Sequence, residues 1–178
     1  MNKKILILAA FVTLVGSGLK AQTMEYTKYV TPDYKITNAA SCKPYNHNIT
    51  ECIHWLENVS PNIFKEEQVK AKQFLTEWAT LSSDVQIVMD EKIVTFINSS
   101  PDMIIYYIGG WTRKSILTKN KLLKSDYAYA GLQSVINYYK RYNKLVNYDA
   151  NIEKLIQLEE QGGLLIQLQQ DMIKHDFR

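Results

Sequence analysis

Proline, glycine, cysteine and histidine are all scarce here: four, seven, two and three residues among 178. So few prolines and glycines leave little of the turn punctuation that repeated hairpins need, and no alternating strand pattern stands between turn signals. Two cysteines cannot staple a fold, so stability must come from a buried core. Three histidines leave few partners for a metal or a general base. The Gly-x-Ser-x-Gly elbow, the His-Glu-x-x-His zinc pattern, the phosphate loop and the dinucleotide glycine fingerprint are missing as well. The sequence therefore reads as an all-α protein without a recognisable catalytic motif, more readily a binder than an enzyme.

Positive charge in excess is also lacking once the N-terminus is set apart. Lys3 and Lys4 precede the apolar run 5–15, which is too short for a comfortable membrane span. Gly16, Ser17 and Gly18 break that run before Ala21, a residue small enough to sit just before a cleavage. Residues 1–22 thus read as a signal peptide of bacterial type, and the mature protein is expected in the periplasm or outside the cell. No cysteine stands near the cut, which disfavours a lipid anchor. Three of the 21 basic side chains (Lys3, Lys4 and Lys20) belong to this leader, leaving 18 against 18 acidic ones. A neutral body without a Lys/Arg-rich run releases few counterions, so nucleic acid is not an expected partner. Lys119, Lys121 and Lys124, the densest basic stretch, read as a solvated helix end. After the leader no apolar stretch approaches 18 residues, so no membrane span is expected.

What remains reads as one domain, a bundle of about five or six helices over residues 51–178, preceded by an irregular arm over 23–50 rich in Asn with Pro32 and Pro44. Phe64, Val69, Phe74, Leu75 and Trp78 share one helical face. Val85, Val88, Met89, Ile93, Phe96 and Ile97 follow a three-four spacing. The stretch is long enough to favour a helix, although Val85, Ile87 and Met89 also alternate like a strand. Ser100, Pro101 and Asp102 suit the start of the next helix, whose Gly109-Gly110 signals either a close helix crossing or a kink. Ser125-Asp126 opens a helix reaching about Val146, Asp149 caps another, and Gly162-Gly163 closes it before a last short helix over 164–173. The Trp55–Ser60 and Trp78–Ser83 stretches look alike, but their offset does not recur after Trp111 and reads as chance.

Three constellations could carry chemistry. Cys42 and Cys52, an isolated pair in an exported chain, first suggest a disulfide. His47 and His54 interleave with them as Cys42-x4-His47-x4-Cys52-x-His54, a set of potential zinc donors, so a metal site or a small periplasmic hydrolase centred here is the alternative. The His47-x4-Cys52 spacing resembles half of a zinc knuckle, but Ala39 stands where the knuckle's first cysteine belongs. Glu51 and His54 make one Glu-x-x-His; no second occurs, which excludes the di-iron arrangement that needs two. His54, beside Trp55, otherwise reads as a partly buried packing or capping residue. Twelve tyrosines, all beyond the leader, form the third feature. Tyr106, Tyr107, Tyr127, Tyr138 and Tyr142 fall on core-facing spacings, and Tyr129, Tyr138, Tyr139 and Tyr142 form the candidate recognition cluster for a protein or glycan partner. No cofactor is implied.

Overall fold

In the computed structural model, which describes residues 33–174, the chain first turns helical at Asn38. The Asn38 side-chain oxygen accepts from the Ser41 amide at 3.1 Å, and Ser41 Oγ accepts from the Asn38 amide at 3.0 Å. This reciprocal cap starts the turn Ala39–Cys42. A 3-10 turn, Lys43–Tyr45, follows, with Pro44 in its first turn, where a missing N–H costs nothing. It leads directly into α1, Asn46–Asn58. The irregular arm is therefore shorter than expected: of residues 23–50, the stretch from Ala39 onward is helical. Asn38 and Ser41, both within 23–50, form its cap. The leader expected over residues 1–22, and residues 23–32, lie outside the described residues.

Five further helices complete the set of those longer than ten residues among the described residues: α2, Lys65–Leu81; α3, Ile104–Thr118; α4, Lys124–Arg141; α5, Ala150–Glu160; and α6, Leu164–Lys174. The protein is an all-α bundle, and no described helix is long and apolar enough to cross a membrane. Helices α3 and α4 make the most extensive contact, with α1 and α2 packed against α3 and α5 and α6 against α4. Helix α3 is buried around most of its circumference, as its apolar sequence demands. Gly109 faces Ile53 of α1 and Leu75 of α2, while Gly110 lies against Ala130, Gly131 and Ser134 of α4. The glycine pair thus marks a close helix crossing.

Helix α2 buries Phe74, Leu75 and Trp78 as expected, but Val69 is 65% exposed. The face is rotated by one residue, onto Gln68. Gln68 Nε2 donates to the carbonyls of Ser60 and Ile63, at 2.8 and 2.6 Å, and ties the preceding loop down. A second departure is larger: residues 82–100 form no helix. Asp90 Oδ1 accepts from the Lys92 amide, and the Asp90 carbonyl accepts from the amides of Ile93 and Val94. Further turns end on Val94 and Phe96. Successive turns of this kind reproduce a three-four spacing without a continuous helix, and an Asp bonded to its own backbone competes with one. Val85, Ile93, Val94 and Phe96 are still buried, whereas Met89 is exposed. The segment is held from outside, Val88 O accepting from Tyr107 Oη at 3.0 Å and Asp84 O from Asn120 Nδ2 at 2.7 Å.

Several other local signals hold. The Leu123 amide donates to the Asp126 carboxylate at 3.0 Å at the start of α4, which ends at Arg141, five residues before the expected Val146. Asp149 caps α5 through Oδ1, which accepts from the amides of Asn151 and Ile152 at 2.8 and 3.1 Å. Gly162 takes φ 69°, with Gly162 N donating to Glu159 O and Gly163 N to Leu158 O, the paired bonds of a left-handed helix stop.

Candidate functional site

The two cysteines do not meet. Both are free and buried. Cys42 Sγ lies 3.9 Å from Trp78 O, and Cys52 Sγ 3.6 Å from Ala71 O. Those carbonyls are two turns apart on α2, about 10 Å at 1.5 Å per residue. The cysteines themselves are spread over a nearly continuous helical stretch, their Cα atoms on the order of 15 Å apart, too far for a disulfide. The expected disulfide is therefore corrected: a spacing that would close a loop has been wound into a helix instead. The metal alternative fails for a related reason. Cys52 points inward from α1 while His47 and His54 sit on its exposed side, so the four donors do not converge. Among the described residues no group of three or more His, Cys, Asp or Glu side chains could hold a metal. His54 is exposed rather than partly buried, its Nδ1 3.4 Å from the Asn58 side-chain amide.

Burial pushes the Cys52 thiol up to about 12, and burial together with the nearby Asp84 charge raises Cys42. Since the thiolate is the reactive form, neither thiol should react in the folded protein. Both should stay unlabelled by a disulfide reagent at neutral pH under native conditions and react fully in denaturant. One thiol labelling rapidly in the native state would contradict this packing.

Nor do the four tyrosines form one exposed patch, since Tyr138 and Tyr139 are buried. Tyr129 Oη donates to Glu159 Oε1 at 2.7 Å and accepts from Gln133 Nε2 at 2.9 Å. Burial and the adjacent Glu159 push its phenol up to about 12. Tyr139 Oη donates to Glu153 at 3.1 Å and accepts from the Asp149 amide at 3.1 Å. Tyr142 Oη donates to Asn58 O at 2.6 Å. These three hydroxyls are ties between helices and loops. Tyr138 differs. It is buried, its ring stacks on Tyr106 with centroids 3.7 Å apart and lies beside Tyr142, and its hydroxyl is withdrawn from solvent next to that of Tyr106.

Tyr106 of α3 and Tyr138 of α4 line a cleft of about 350 Å³ where six segments meet. The loop after α1 supplies Pro61, α2 supplies Gln68 and Lys72, the approach to α3 supplies residues 99–103, and the loop after α4 supplies residues 145–147. Desolvation raises both phenols; for Tyr106 the hydroxyls of Tyr138 and Tyr142 and the Asp102 charge add to it, and for Tyr138 the Tyr106 hydroxyl works against it. Both rings therefore stay protonated and present neutral hydroxyl groups. At the rim the expected capping role of Ser100 is not realised. Ser99 Oγ and Ser100 Oγ each donate to Asp149 Oδ2 at 2.5 Å instead. Behind Tyr138 a smaller space of about 190 Å³ holds Glu57, Asn58, Arg113, Ser134 and Arg141. Its groups satisfy one another: Glu57 is ion-paired with Arg113 and accepts from Ser134 Oγ at 2.7 Å, and Arg141 donates to Glu57 O and to Asn58 Oδ1.

Of the four sequence-selected tyrosines, only Tyr138 belongs to this cleft. Lys72, Asp102 and Tyr106 escaped notice because each carries an ordinary local reading: solvent-facing on α2, first-turn acid, core aromatic. No known protein family, curated protein or solved structure matches the chain, so the cleft has to be interpreted from its own geometry.

Proposed function

We propose that this is an exported, non-catalytic binding module whose recognition site is the cleft walled by Tyr106 and Tyr138. The lining of the cleft carries the reading: a stacked tyrosine pair forms an aromatic wall, with Gln68, Lys72 and Asp102 as polar groups and Met103, Leu145 and Val146 as apolar ones around the same space. The volume falls at the lower end of ligand pockets, which run from roughly 300 to 1,000 Å³, so the occupant is a small molecule or the tip of a larger glycan or protein. Binding rather than turnover is favoured by the rim. Among the described residues the serine–carboxylate set there has no imidazole in contact, and the Asp149 carboxyl, held below its ordinary value by four hydrogen bonds, is a weak base.

Amide chemical shifts of the protein from residue 23 onward, followed during addition of leucine, glucose and propionate, test this. Shifts confined to residues of the cleft wall are expected with at least one probe, and no response to any of the three overturns the reading. Export rests on the cationic start and short apolar run at residues 3–15. The extracytoplasmic protein is expected to begin at residue 22 or 23; recovery with Met1 intact would overturn it.

A further inference from the structure

We infer that the cleft takes a small zwitterion, an α-amino acid or a dipeptide. This rests on the cleft being the recognition site. Its wall contains two charged side chains of opposite sign, Lys72 from α2 and Asp102 from the approach to α3. Neither forms an ion pair with the other or with any described residue, although both border the same small space. A phosphate or a dicarboxylate would meet one cation and be repelled by the acid; a polyamine would meet one acid and be repelled by the lysine. A neutral sugar would answer neither charge. A molecule carrying an ammonium and a carboxylate answers both, and its net charge of zero matches that of the wall.

The remaining surfaces suit the rest of such a ligand. Lys72 can pair with a carboxylate and Asp102 with an ammonium. Met103, Leu145 and Val146 offer an apolar wall for a side chain.

Titration calorimetry with four matched probes tests the inference: leucine, N-acetyl-leucine without the ammonium, leucinamide without the carboxylate, and glucose. Leucine should bind, and each singly charged analogue should bind about tenfold more weakly, the loss of one charge-assisted pairing. Asp102→Asn should erase the preference over N-acetyl-leucine, and Lys72→Met the preference over leucinamide. Each variant reads one pole, so either result stands if the other protein folds poorly. Equal affinity for leucine and its analogues, or unchanged preferences in both variants, would overturn the zwitterion. Binding of glucose alone would overturn it while leaving a recognition cleft in place. Silence from all four probes would remove both.

Discussion

Gly110→Ala should lower the melting temperature by roughly 6–12 °C, a loss of about 3 kcal/mol in a domain of this size. An added Cβ at Gly110 would stand 2.4 Å from Ala130 O, 2.4 Å from Ser134 Oγ and 2.9 Å from Gly131 Cα. Two of those atoms are backbone of α4 and cannot swing aside, so α3 and α4 would have to separate. Moving Ser134 also disturbs its hydrogen bond to Glu57, and with it the tie from α4 to α1. Alanine's helix propensity recovers only about 1 kcal/mol. Gly109→Ala is the internal control. Its Cβ would meet Ile53 Cγ2 at 3.1 Å and Leu75 Cδ2 at 3.7 Å, both ends of side chains. There the propensity gain and the crowding nearly cancel, and the net change should stay within about 1 kcal/mol. Denaturant unfolding of the two variants checks the pair, and the opposite order of stabilities would refute a crossing set by Gly110.

The glycine pair was legible because its message is local in both readings: a costly residue in a helix interior needs a steric reason. Asp149 and Gly162 were legible for the same reason, since a cap and a left-handed stop act on backbone groups two or three residues away. Residues 82–100 were not. Their apolar spacing is real, and Val85, Ile93 and Phe96 are buried. What holds them is Asp90 bonding to its own turn and Tyr107 reaching across from α3, and the latter leaves no trace in the local pattern. The cysteine pair misled in the opposite direction. Proximity in sequence stood in for proximity in space, which fails once the Asn38 cap winds the intervening chain into helical turns. The cleft lay furthest from view, because its wall is assembled from separated segments and Lys72, Asp102 and Tyr106 each have a sufficient local explanation.

Asp149→Ala should destabilise the protein by roughly 3–4 kcal/mol at neutral pH, and by much less in acid. The carboxylate is 2% exposed and holds two structures together. Oδ1 caps α5, worth about 1 kcal/mol. Oδ2 receives Ser99 and Ser100, and charged hydrogen bonds contribute about 1.5–3 kcal/mol without adding fully. Burial pushes this carboxyl up, but the bonds from Ser100, Ser99, Ile152 and Asn151 outweigh it and hold the folded value below the ordinary 3.8. A lowered folded value means that the ionised cap's contribution is complete above the unfolded value and is lost as the pH falls through the folded one. The stability difference between the natural protein and Asp149→Ala should accordingly narrow below about pH 4; a difference constant from pH 7 to pH 2 would rule out the charged cap. Because Ser99 and Ser100 border the cleft, the same substitution should reach the cleft wall. Amide hydrogen exchange should quicken both at the start of α5 and across residues 99–103, two segments that are joined through Asp149. Faster exchange in α5 alone would mean that the cleft rim holds its place without the carboxylate.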